Sequence, residues 1–113
     1  MQLRSSLPAV LLIFVALMSP LTSAPADQKA APKTYTVLIK GFAFVPERLE
    51  VSSGDTVIWK NEDIVPHTAT AKKAFNSKGL DKGQSWSYVA KQKGTYSYIC
   101  SYHPTMNGEL VVK

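Results

Sequence analysis

Cysteine and histidine are almost missing from this chain: Cys100 is its one cysteine, His67 and His103 its two histidines, and Met1, Met18 and Met106 its three methionines. A lone cysteine excludes the internal disulfide framework that holds many small exported domains together. Charge is also sparse, with 13 basic against 8 acidic side chains and a net charge of +5. That surplus is too small to argue for a nucleic-acid partner. There is no internal repeat, no low-complexity segment and no convincing helical periodicity. Nor is there a carboxylate pair, a nucleophile beside a base or a phosphate-cradling glycine loop, so no residue is assigned a catalytic role and the chain does not read as an enzyme.

Long apolar runs are lacking too. Leu7–Met18, interrupted by Pro8 and preceded by Arg4, falls short of the ~20 residues that a membrane span needs. With the small residues Ala24-Pro25-Ala26 after it, the segment reads as a signal peptide over residues 1–26, cleaved between Ala24 and Asp27. The expectation is an exported protein, periplasmic in a bacterium, with no membrane span after cleavage. Removing residues 1–26 from the 113 leaves 87, enough for one small domain. Residues 27–33 read as a short lead-in and 34–113 as the domain.

What the domain does have is strand patterning. Thr34–Lys40, Leu49–Ser52, Thr56–Lys60, His67–Ala71, Gln84–Ala90, Gly94–Cys100 and Gly108–Lys113 are short runs rich in β-branched and aromatic residues, separated by turn signals such as Ser53-Gly54-Asp55. They predict an all-β, antiparallel sandwich of about seven to eight strands in a Greek key. Ala71–Leu80 has room for one helical turn. In Gly94–Cys100 the period of two places Tyr96, Tyr98 and Cys100 on one face. Trp59, Trp86, Tyr88, Tyr96 and Tyr98 alternate along strands and read as core packing.

The scarce residues cluster. Cys100, His103 and Met106 recur every third position in Cys100-Ser101-Tyr102-His103-Pro104-Thr105-Met106, and His67 lies 33 residues before Cys100. Taken singly, each has an ordinary structural use as a buried hydrophobe, loop histidine or gap filler. Together they make a thiolate, two imidazoles and a thioether, the donor set of a mononuclear blue-copper centre. Zinc suits the thiolate and imidazoles but not the thioether. Only long-range strand packing can bring His67 to the others. Lys72, Lys73 and Lys78 read as ordinary solvated charges.

These motifs resemble those of the small cupredoxins, the plastocyanin- and amicyanin-like family, over nearly all of residues 34–113. The resemblance is carried by Phe44-Val45-Pro46, Ser53-Gly54-Asp55-Thr56-Val57-Ile58-Trp59 with Asn61, Pro66-His67, Gly94–Cys100, and His103-Pro104 before Met106-Asn107-Gly108. Two residues between Cys and His, and two between His and Met, match the amicyanin-type loop. The resemblance implies one copper ion held by His67, Cys100 and His103 as equatorial ligands and by Met106 as the axial one. It also implies a monomeric electron carrier that meets redox donor and acceptor proteins transiently. A copper carrier or homeostasis protein is the alternative.

Pro66, Thr68, Tyr102 and Pro104 are expected around the ligands, with His103 as the port for electrons, ringed by Pro66, Tyr102, Pro104 and Phe44. Two positions depart from amicyanin: Thr68 stands for an asparagine that braces the ligand loop, and Tyr102 for a proline. The Tyr102 N–H is expected to reach the Cys100 sulfur. Finally, Lys40–Val45 matches the start of an RNA-binding aromatic motif that fails at Glu47, so Phe42 and Phe44 are expected in the core.

Overall fold

The computed structural model describes residues 6, 8–21 and 30–113. The proposed cleavage site at Ala24–Ala26, together with Arg4 and Leu7, lies outside them. Residues 8–21 are exposed and carry neither helix nor strand. Among the described residues no helix is long and apolar enough to cross a membrane.

Nine strands follow: β1 Thr34–Lys40, β2 Ala43–Val45, β3 Arg48–Val51, β4 Asp55–Asn61, β5 Thr70–Ala71, β6 Phe75–Asn76, β7 Ser85–Ala90, β8 Gly94–Ile99 and β9 Asn107–Val112. They form two sheets, β2-β1-β4-β7 and β3-β9-β8-β5-β6. Alternation builds the core between them: Val37 and Ile39 of β1, Val57 and Trp59 of β4, Tyr98 of β8, and Leu110 and Val112 of β9 are buried. Within β8 the phase is as expected, with Thr95, Ser97 and Ile99 outward and Tyr98 and then Cys100 inward. Trp59 packs on Phe75 and Trp86, with ring centroids 5.1 and 5.9 Å apart, and stands edge-on to Tyr98 at 5.5 Å. Core packing of the aromatics is therefore what the structure shows. Burial pushes the Tyr98 phenol up to about 12, which keeps it neutral beneath the site.

The sandwich has the expected class but is not purely antiparallel. After the β1–β2 hairpin the chain crosses to the second sheet as β3 and returns as β4 on the free side of β1. The β1·β4 and β3·β9 pairs are therefore parallel, while β1·β2, β4·β7 and β8·β9 are antiparallel. Ala71–Leu80 holds no helical turn; it is the β5–β6 ribbon, closed by a turn in which the Ala74 N–H donates to the Ala71 carbonyl at 3.0 Å.

The strand expected over His67–Ala71 survives only as Thr70–Ala71. His67 exchanges backbone hydrogen bonds with Leu80 at 3.1 and 2.8 Å. The next two amides then leave the ladder: the Thr68 N–H donates to the Cys100 sulfur and the Ala69 N–H to Ser77 Oγ, at 3.3 and 2.8 Å. Side chains that compete for backbone donors end a strand, and here one of the two competitors, Cys100, is a site residue.

Candidate metal centre

Strand β4 ends in Asn61, which is fully buried. Its carboxamide nitrogen donates to the Val65 and Leu80 carbonyls, both at 2.8 Å, and its oxygen accepts the Asp63 N–H at 2.9 Å. One buried side chain thus folds residues 62–66 into a fixed loop that delivers His67 to the core. Pro66, exposed just before it, offers no amide that would need a partner.

Asp63 does more than line this loop. Its Oδ2 accepts from His67 Nε2 at 2.9 Å and from the Phe42 N–H at 3.0 Å, while Oδ1 accepts the Gly41 N–H at 2.8 Å. Burial pushes the Asp63 carboxyl up, but the Phe42 and Gly41 amides and His67 outweigh it and leave the group below its ordinary value. As an ionised carboxylate it can only accept. In the neutral ring the His67 proton therefore sits on Nε2, and Nδ1 presents a lone pair to the site.

Gly41 and Phe42 form the two-residue turn of the β1–β2 hairpin, with φ of 59° and 55°. A turn of positive φ at both centres matches strand twist but costs a phenylalanine about 1–2 kcal/mol. The Asp63 carboxylate holds both amides of that turn. The Phe42 ring, 51% exposed, stands edge-on to His67 at 5.1 Å and to His103 at 5.0 Å. Phe42 is therefore not core. Phe44 is buried and packs on Tyr98 at 4.7 Å, so Phe42 takes the collar position expected for Phe44.

On the other side, β8 ends at Ile99 and Cys100 begins a compact loop. The Cys100 N–H donates to the Met106 carbonyl at 3.1 Å, the His103 N–H to the Cys100 carbonyl at 3.2 Å, and the Met106 N–H to the His103 carbonyl at 2.9 Å. Pro104 occupies the second position of that last turn, where its fixed φ is favourable. Below the loop, a Cβ on Gly108 would collide with the Tyr98 ring, so only glycine lets β9 pass so near β8.

These elements bring the three strongest donors together. Cys100 Sγ lies 3.7 Å from His67 Nδ1 and 3.7 Å from His103 Nδ1, and all three atoms fall within 4.8 Å of one another. His67 and Cys100 are fully buried, His103 is half-buried, and Met106 is 5% exposed in the same apolar cluster. A thiol sulfur and two imidazole nitrogens converging on one point, one of them with its lone pair set by a carboxylate, fit a soft or borderline metal such as copper.

The Thr68 N–H donates to the Cys100 sulfur. No hydrogen bond joins Tyr102 to that sulfur; its N–H is not the expected donor, because the loop turns after Cys100. The Tyr102 side chain is 54% exposed and lies against Gly79, where a Cβ would meet its hydroxyl at 2.8 Å. Thr68 meets the loop as an acceptor: the Ser101 N–H donates to its Oγ1 at 2.8 Å. Pro66, Tyr102 and Pro104 are all exposed. Asp63 escaped notice in the sequence, although its place four residues before His67 was the available signal.

The chain matches the family described as Cupredoxin-like domain over residues 9–112. It is 31% identical over 100 residues to the amicyanin of Paracoccus denitrificans, covering 83% of this chain and 76% of that protein. To the amicyanin of Paracoccus versutus it is 28% identical over 81 residues, 66% of this chain and 61% of that protein. Among solved structures, an oxidised amicyanin with a proline-to-alanine substitution superposes with a TM-score of 0.68 and 30% identity, covering 71% of this chain and 82% of the other. The copper-containing nitrite reductase of Thermus scotoductus gives the same TM-score and identity over 80% of this chain, but only 25% of its own. A fold of this kind is thus also part of an enzyme.

Proposed function

This chain belongs to the cupredoxin-like family, and on that premise we propose that it is a small blue-copper protein carrying single electrons between redox proteins, without turning over a substrate. One observation carries the reading: the triangle of Cys100 Sγ, His67 Nδ1 and His103 Nδ1, with 3.7 Å from sulfur to each nitrogen. His67, Cys100 and His103 would hold one copper ion, with Met106 as the weak fourth ligand. The bound ion supplies the chemistry by alternating between Cu(I) and Cu(II).

The protein's part is to keep its ligands still and to expose one of them. Asp63 fixes the His67 ring, and the closed turns from Cys100 to Met106 fix the other donors, so little rearranges when charge changes. The Thr68 amide, 3.3 Å from the sulfur, favours the thiolate and draws charge from it. His103 is the half-buried ligand, and electrons pass through its edge between Phe42, Pro66, Tyr102 and Pro104. A small apolar rim of this kind suits brief encounters with a donor and an acceptor. Residues 1–26 direct export, to the periplasm in a bacterium, and the mature protein works as a monomer. A copper carrier, which must give up its metal, is poorly served by two fully buried ligands.

The visible spectrum of the copper-loaded protein tests this reading. An intense thiolate-to-copper band is expected, and it disappears in Cys100→Ser; a colourless Cu(II) form overturns the proposal.

A further inference from the structure

Thr68 makes two contacts at the centre, its N–H to the Cys100 sulfur and its hydroxyl oxygen to the Ser101 N–H, at 3.3 and 2.8 Å. A hydroxyl has one proton to place, and the direction of the Thr68 proton is decided outside the site. The Lys78 N–H donates to Asn76 Oδ1 at 2.9 Å, which identifies that carboxamide atom as the oxygen. The Thr70 hydroxyl, 3.1 Å from the same oxygen, must donate to it. With its only proton committed, Thr70 Oγ1 can otherwise only accept. It does so twice, from Thr68 Oγ1 at 2.9 Å and from Ser101 Oγ at 3.1 Å. Thr68 therefore donates to Thr70 and keeps its lone pairs for the Ser101 amide. Each hydroxyl in the chain has one arrangement open to it, and aligned hydroxyls of this sort reinforce one another.

We infer that Thr70 and Asn76, on the β5–β6 ribbon, are positioning residues for the ligand loop: their one-way hydrogen-bond relay holds Thr68 against Ser101 and so holds the Thr68 amide on the Cys100 sulfur. The side-chain hydrogen bonds of both residues run to Thr68, Lys78, Ser101 and each other, and none to a proposed ligand. The relay acts on the centre through a side chain that occupies the position where amicyanin-type loops carry asparagine. The effect on the metal rests on the copper reading above; the effect on the loop does not.

The test compares the unaltered full-length chain with Thr70→Val and Asn76→Leu, Thr70→Ser serving as the conservative rescue and Ser97→Ala as a surface control on β8. Amide hydrogen exchange at Ser101 is followed by NMR in the Cu(I) and metal-free forms, and the reduction potential by voltammetry. Thr70→Val and Asn76→Leu are expected to speed Ser101 exchange about fivefold to tenfold, the loss of roughly one hydrogen bond. The potential falls in both as the sulfur loses its amide, and Thr70→Ser restores both readouts. Unchanged Ser101 exchange in both variants, or no difference between Thr70→Ser and Thr70→Val, overturns the relay. Thr70→Ala and Asn76→Ala stand in for any larger side chain that prevents folding. If the unaltered protein lacks the thiolate-to-copper band, the copper reading fails, while the metal-free exchange comparison still decides the relay.

Discussion

His67 and His103 present the same ring nitrogen at the same 3.7 Å from the Cys100 sulfur, yet the protein holds them in opposite ways. His67 is fully buried, its outer nitrogen is bound to Asp63, and its backbone bridges to Leu80. His103 rides on a loop closed by local turns and is half-buried, its outer edge left for solvent or a partner. One imidazole belongs to the scaffold and the other to the surface. The proposed electron carrier would gain from both: a ligand that cannot move limits reorganisation, and a ligand at the surface shortens the path to a partner. Phe42 spans the two, its ring edge-on to each.

The sharpest way to break this contrast is to remove each ring in turn. His103→Gly leaves an opening at the surface that added imidazole can enter, so the thiolate-to-copper band is expected to return when imidazole is supplied. His67→Gly leaves a closed hole beneath Phe42 and an Asp63 carboxylate without its partner, at a cost on the order of 3 kcal/mol. Imidazole should not restore that band. Equal rescue of both variants, read by visible absorption, would show that burial does not separate the two ligands.

A smaller effect is expected one step back from the metal. Asp63→Ala removes the acceptor of the exposed Gly41 and Phe42 amides, which water can replace, and of the buried His67 Nε2–H, which it leaves unmet. A loss of about 2–4 kcal/mol in denaturant unfolding is expected for Asp63→Ala. On the loop side, Pro104→Ala should cost about 1 kcal/mol or less, mainly through a freer unfolded chain. If the two variants unfold at the same denaturant concentration, the scaffold side is no more firmly built than the loop.

The sequence made one of these sides far easier to read than the other. The seven residues from Cys100 to Met106 lie close together along the chain, and their chemistry is written in their spacing. The β8 phase that buries Cys100 follows from simple alternation. The support under His67 is scattered instead: Asn61 reaches Val65 and Leu80, and Asp63 reaches back to Gly41 and Phe42 on another hairpin. A turn with φ of 55° at Phe42 runs against that residue's own preference, and the carboxylate that holds both amides of the turn lies on another segment, so the ring's place beside the histidines is not written locally. The parallel β1·β4 and β3·β9 pairs were hidden for a similar reason, since alternation gives a strand its inner face but not its neighbour.

A second carboxylate gives the smallest effect and isolates what is special about Asp63. Asp55 begins β4 at the Ser53-Gly54 turn, its carboxylate accepting the Lys33 N–H at 2.9 Å and the Ser52 N–H at 2.8 Å. Those two backbone bonds, Lys33 first and then Ser52, outweigh burial and hold its carboxyl below the ordinary value. Like Asp63 it accepts two amides, but it touches no histidine. Its stabilisation is complete above the unfolded value near 3.9. As pH falls below that value the unfolded chain takes up a proton that the folded chain still refuses, so stability declines until the folded carboxyl titrates as well. Asp55→Asn cannot titrate. The variant should melt at a lower temperature than the unaltered protein at neutral pH, because an amide offers one acceptor oxygen instead of two. The gap should narrow as pH falls below about 4, the unfolded value. Melting curves across that range check the slope, and the visible spectrum at neutral pH should not change. A gap that stays constant with pH would mean that the Asp55 charge contributes nothing, and that its two hydrogen bonds act as neutral ones.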